Sequence, residues 1–208
     1  LCISPNEFAI YLYDIKKSEN IYEKKIEIKN EQKDINLVIL YDFLKDNVFK
    51  IEKLKGKFLE NIILLLETDD IENVFLCIKK KIYDQQISQE HLENMLIDAK
   101  DLLKESYKNK KILHMLICKY YVNNIHQPLF DLNTNGNSFS FEINFCLVSD
   151  IFVSKLDKVL EKFHIKINNY YDGKYIKNFF KDKNLSISQM ILNIQKGVNS
   201  SEVKIIPK

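Results

Sequence analysis

The chain has 208 residues, 46% of them hydrophobic and 29% charged, with a formal net charge of +2. That length supports one large or two small domains with a real core and excludes a disordered chain, while the near balance of charge gives no strong pull toward nucleic acid or an anionic membrane. Every basic residue is Lys and Arg is absent, which removes the side chain best suited to bidentate phosphate or base recognition.

Residues 7–15 (EFAIYLYDI) read as a buried strand and residues 21–29 (IYEKKIEIK) as an alternating one, together a hairpin. Residues 35–41 (INLVILY) fit either a third strand or the start of a helix. Phe43, Leu44, Val48, Phe49 and Ile51 then predict a helix over 42–53 that leads to a turn at Gly56. Residues 61–67 (NIILLLE) have the all-apolar character of a strand buried on both faces.

A soft boundary falls near Asp69 and Asp70. Residues 74–83 (VFLCIKKKIY) predict a strand carrying the basic run Lys79–Lys81. The clearest element is a helix over 88–105. Leu92, Met95, Leu96, Ala99, Leu102 and Leu103 recur on one face, and Ser88 is a natural N-cap. Residues 111–122 predict a long strand, 133–138 a turn around Gly136, and 139–148 a strand with Phe139, Phe141, Ile143, Phe145 and Leu147 on one face. Ser149 or Asp150 caps a second helix bearing Val153, Leu156, Val159, Leu160 and Phe163. Residues 165–171 form a last strand that ends near Gly173. A helix over 186–196 opens on the capping box Ser186…Gln189, with Gly197 as its C-terminal cap and its apolar face packed on the body. The tail from Val198 is a strand or a linker.

Reactive constellations are missing. His91, His114, His126 and His164 lie in different elements with no metal spacing, and His114 sits in an apolar strand as a structural residue. The pair Asp69 and Asp70 reads as solvated turn residues. Cys77, Cys118 and Cys146 sit in apolar runs and read as core, and no cysteine pair has zinc-ligand spacing. Four glycines, no Walker loop and no G-x-S-x-G elbow leave no catalytic residue, no cofactor site and no metal site to name. No apolar run reaches the length of a membrane-spanning helix. No signal peptide is visible, and the sequence starts at Leu1 rather than Met.

From Lys55 to Tyr171 the order of elements resembles the bacterial cell-division protein family FtsA, an actin homologue with an inserted strand-helix-strand-strand module. The resemblance rests on Val74–Ile78, on Ile87-Ser88-Gln89-Glu90-His91-Leu92, and on Ile112-Leu113-His114. It continues through Tyr121-Val122-Asn123-Asn124, Phe139–Val148, and the stretch from Val159 to Ile167. It implies an α+β fold in which the module is attached to a remnant of an actin-like (ribonuclease H-like) sheet. The implied division is an actin-like part over 1–70, the module over 71–168, and a C-terminal helix and tail over 169–208 that pack back on the first part. The family's phosphate loop, D-x-G-x-[ST] after the first strand, corresponds to Asp14-Ile15-Lys16-Lys17-Ser18. Lys16 there replaces the glycine that lets backbone approach phosphate. The family's second half and its membrane helix have no counterpart up to Lys208, so membrane contact requires a helix beyond that residue.

The expected function is a non-enzymatic adaptor in bacterial cell division. Its partners would be other division proteins at the cytoplasmic face of the inner membrane, with self-association, and without a small-molecule substrate. The alternative is a nucleic-acid-binding α+β module that uses Lys79–Lys81 with nearby aromatics.

Overall fold

The computed structural model describes residues 1–29, 34–128, 134–195 and 204–206. The chain opens with β1 (Cys2–Ile3), β2 (Glu7–Asp14), β3 (Glu19–Glu27), α1 (Leu37–Lys55) and β4 (Asn61–Leu66). There follow β5 (Glu72–Gln86), α2 (Gln89–Ser106), β6 (Lys110–Val122), β7 (Ile125–Gln127) and β8 (Asn135–Ser149). It closes with α3 (Asp150–Glu161), β9 (Lys166–Asp172), α4 (Gly173–Phe179), α5 (Ile187–Gln195) and β10 (Lys204–Ile206). Two units form: Leu1–Ile71 with Val148–Lys196, and Glu72–Leu147 with Gly197–Lys208.

The first unit is built on a five-stranded sheet of order β3-β2-β1-β4-β9. The hairpin β2–β3 is antiparallel and β1 pairs antiparallel with β2, whereas β1–β4 and β4–β9 are parallel. Asn36 starts α1 by accepting from the Val38 and Ile39 amides at 3.0 and 3.2 Å. Leu40, Phe43, Leu44, Val48 and Ile51 recur at helical spacing and are buried, with the Phe43 ring 6.2 Å from that of Phe8 on β2. Residues 35–41, open between strand and helix in the sequence, are thus mostly helix. Among these apolar residues sits the buried Asn47, which donates to the Phe43 carbonyl at 2.6 Å and accepts from the Tyr22 hydroxyl at 2.5 Å, so its polar groups are satisfied. The helix ends at Gly56, whose φ of 71° lies in the left-handed region. α3 buries Val153, Leu156 and Leu160. Tyr170 on β9 donates to Asp157 at 2.8 Å; burial first, and then this carboxylate, push the phenol well above its ordinary range. The capping box of α5 is present, with Ser186 N to Gln189 Oε1 at 2.9 Å and Gln189 N to Ser186 Oγ at 3.3 Å.

The second unit is a sheet of order β10-β6-β8-β5, with β7 paired to β6. α2 lays Leu92, Met95, Leu96, Ala99 and Leu103 against Phe139, Phe141, Ile143, Phe145 and Leu147 of β8. Ser88 caps the helix in a box whose third residue is histidine: the His91 amide donates to Ser88 Oγ at 3.1 Å and the Ser88 amide to His91 Nδ1 at 3.3 Å.

The protein is α+β, a strand-helix-strand-strand module inserted in the chain between two strands of a five-stranded mixed sheet. Several expectations need correction. The module ends at Leu147, not at residue 168: α3 and β9 belong to the first unit, because β9 pairs in parallel with β4. The tail does not pack back on the N-terminal part as a whole, since Lys204–Ile206 pairs with β6. Leu102 is 54% exposed, because at 100° per residue it sits about 80° from Leu92, at the edge of the apolar stripe. The turn assigned around Gly136 is already strand from Asn135. Gly136 is required there by close approach, since a Cβ would lie 2.6 Å from Val122 Cγ1. The expected cap Gly197 lies outside the described residues.

At Gly56 a Cβ would meet nothing within 4 Å, so Gly56→Ala should cost the backbone term alone, about 1 kcal/mol. Phe141→Ala, in contrast, should cost about 3–5 kcal/mol as a core cavity. Urea unfolding of both variants against the parent measures the contrast.

Candidate interaction surfaces

The sheet starts at β1, so the turn after its first strand is Ser4-Pro5-Asn6, and residues 14–18 form the β2–β3 hairpin turn instead. Residues 14–18, expected to follow the first strand of the sheet, follow its second strand. The Ser4–Asn6 turn has no glycine. Pro5 carries no amide donor, Ser4 N donates to the Glu7 carbonyl at 2.9 Å, and Glu7 N donates to Ser4 Oγ at 2.9 Å. In the hairpin turn, Asp14 Oδ1 accepts from the Lys16 and Lys17 amides at 2.8 and 3.2 Å. The Ser4, Lys16 and Lys17 amides are thus already engaged within the chain.

The four histidines are dispersed. His91 caps α2, and the ring of His126 lies edge-on to Tyr121 at 5.7 Å between centroids. His164 takes a positive φ of 58° in the turn after α3. His114 is fully buried in β6, where burial pushes its pKa down to about 4. No group of three or more His, Cys, Asp or Glu able to hold a metal occurs among the described residues. Asp69 is not simply solvated, as it accepts from Lys174 Nζ at 2.6 Å. All four cysteines are free. Cys146 is buried as expected, but Cys118 is half-buried and Cys77 is exposed. Cys77 alternates with Leu76 and Ile78, which pack on the core, so it faces the other way.

Strand alternation also divides the basic run. Lys79 and Lys81 are exposed, whereas Lys80 is half-buried. Phe139, Phe141 and Phe145 lie beneath α2 at 0–1% exposure and offer no stacking platform to bases. On the sheet face opposite α2, Glu142 accepts from Tyr121 at 2.9 Å and pairs with Lys119 at 3.0 Å. These hydrogen bonds from Lys119 and Tyr121 hold its carboxyl below the ordinary range.

The first unit carries an apolar groove of about 480 Å³ lined by Val48, Phe49, Phe58, Leu59 and Phe163, with Lys45, Glu52 and Glu60 among its polar lining. Phe49 and Phe58 are 72% and 79% exposed. The segment bearing Phe58 is pinned to α1: Lys55 Nζ donates to the Phe58 carbonyl at 3.0 Å, and the Leu59 amide donates to Glu52 Oε1 at 3.0 Å. Phe163 is held by the Tyr41 ring at 5.3 Å. Exposed aromatics on pinned backbone make a contact surface that loses little entropy on binding. Sequence reading placed Phe49 on the α1 apolar face and gave Phe58 no role; the signal available was an aromatic just after a helix-ending glycine.

No family model matches the chain, and no curated protein matches it. Among solved structures it is similar to the cytoplasmic domain of EpsL, an inner membrane component of the type II secretion system of Vibrio cholerae. The two are 10% identical with a TM-score of 0.35, over 83% of this chain and 52% of that one. The chain thus spans about half the length of that structure. No helix among the described residues is long and apolar enough to cross a membrane.

Unfolding exposes His114 and restores its ordinary value of 6.5, so between about 6.5 and about 4 the unfolded chain binds a proton that the folded chain refuses. Stability should therefore fall as the pH drops through that window, and His114→Leu should flatten this part of the profile. Urea midpoints taken from pH 7 to pH 4 decide it, and an unchanged slope in the variant would refute the assignment.

Proposed function

We propose that this chain is a non-enzymatic adaptor in bacterial cell division that binds other division proteins at the cytoplasmic face of the inner membrane. The observation that carries the contact reading is the groove at Phe49 and Phe58, two large apolar rings held exposed on pinned backbone. Further support for a role without nucleotide comes from the Ser4–Asn6 and Asp14–Ser18 turns, which have no glycine and whose Ser4, Lys16 and Lys17 amides are engaged within the chain. The division assignment rests on the resemblance of element order between Lys55 and Tyr171 to the FtsA family, together with a sheet and inserted module in the matching sequence. The nucleic-acid reading loses Phe139, Phe141 and Phe145 to the core and keeps only Phe75 and Tyr83 as exposed aromatics on the lysine-bearing strand.

The chain should give no heat of binding in a calorimetric titration with ATP and magnesium; a micromolar dissociation constant would overturn the adaptor reading. A tagged chain should recover division proteins from a bacterial lysate, identified by mass spectrometry. Recovery of ribosomal proteins, lost after nuclease, would favour the nucleic-acid module instead. Phe49→Ser with Phe58→Ser should leave stability within about 0.5 kcal/mol, as exposed substitutions do, yet abolish recovery of those partners.

A further inference from the structure

The second unit presents a strand edge that no other described strand pairs. Among the described strands, β5 pairs with β8 and stands last in the sheet. Its register to β8 is continuous from Glu72 to Lys81 and breaks between Lys81 and Gln85, where Tyr83 adopts a φ of 50°. Residues 72–81 are therefore a regular edge with a defined end. Such a row of outward amides and carbonyls is a template for a further strand.

The charge on this edge has one sign. Glu72 is engaged by Lys110, which leaves Lys79, Lys80 and Lys81 to set the local potential. Lys79 donates to Asn124 at 2.7 Å, a neutral acceptor that leaves its charge uncompensated. Phe75, 66% exposed, shares the outward face with Lys79 and Lys81. A second copy pairing through the lysine run would set lysine against lysine, which like charges oppose. Nucleic acid offers phosphates to the lysines but no partner for the backbone edge. An extended segment with carboxylates at alternate positions satisfies the amides, the carbonyls and the lysines together.

We propose that residues 72–81 form a docking edge on which an acidic, extended peptide segment of a partner protein adds as a further strand of the β5 sheet. This rests on the adaptor reading and names the chemistry of one of its partners.

The test uses the full chain labelled with ¹⁵N and a synthetic peptide of alternating Glu and Val. Amide shifts should concentrate in residues 72–81, and binding should weaken as salt rises. A peptide with Lys in place of Glu should not bind. Lys79→Glu with Lys81→Glu should weaken the acidic peptide by about tenfold or more and admit the lysine peptide, the exchange expected of charge complementarity; Lys81→Glu alone should move both affinities in the same directions. Equal binding of the two peptides would overturn the proposal, as would shifts confined elsewhere. So would a single-stranded DNA oligonucleotide that shifts these amides while the acidic peptide does not, or a concentration-dependent dimer that protects this edge. The two readings can fail separately. If the acidic peptide binds but no division protein is recovered, the edge stands and the division assignment falls. If division proteins are recovered undiminished by the double reversal, the edge falls and the adaptor stands.

Discussion

The arrangement of this chain depends on one strand. β4 is paired in parallel on both sides, with β1 at Cys2↔Leu65 and with β9 at Leu64↔Tyr170. Parallel neighbours cannot be joined by a tight turn; the chain must leave the sheet and return over a long connection. Leu64, Leu65 and Leu66 are buried at 0–2% exposure, so β4 is held by apolar burial as well as by both ladders. The crossover from β4 to β9 runs through β5, α2, β6, β7 and β8 before α3 brings it back. The inserted module is in this sense a very long loop with its own core. Loop-closure cost grows only slowly with length, so the sheet bears it, and the module's own apolar cluster supplies its stability.

Both units bury an apolar cluster and leave some large apolar side chains exposed, in different settings. In the module, alternation on β8 and the helical stripe on α2 build one apolar cluster, while Phe75, Ile97, Leu102 and Ile125 stay exposed around it. The outward face of its sheet carries Lys79, Lys119, Tyr121 and Glu142, bound to one another or to neighbouring polar groups, beside the exposed Phe75. In the first unit, α1 turns a buried stripe to the sheet but leaves Val38, Phe49 and Leu54 exposed. One surface is a basic strand edge that no described strand pairs; the other is an apolar groove. Each suits a different kind of contact.

Much of this was legible in the residues. The periodicities of α2, α3 and β8 are strong, and Ser88, Ser149 and Ser186 mark their helices by cap chemistry that depends on local sequence. β1 carried no readable period because it has two residues and exists through its neighbours on either side. α4 was hidden because Gly173 reads as a terminator; Asp172 overrides it by accepting from the Lys174 and Tyr175 amides at 2.9 and 3.2 Å. The exposure of Phe49 and Phe58 was not legible, since an apolar residue at helical spacing carries no mark of whether another element covers it. The isolation of the β5 edge depends on sheet order, which composition does not encode.

The interrupted crossover also fixes an order of events during synthesis. β4 emerges from the ribosome early, but its parallel partner β9 does not exist until residue 172 has been made. Every residue of Glu72–Leu147 is translated in between, and α2 with β5, β6 and β8 can close its apolar cluster as soon as β8 is out. At the rate of translation, about 5–20 residues per second, that interval lasts several seconds. Hairpins and helices form in microseconds. The nascent chain thus holds a nearly complete inner unit while the leucine-rich edge of β4 still waits for β9. The exposed edge in that interval is Ile62 to Leu66, the segment most in need of a chaperone.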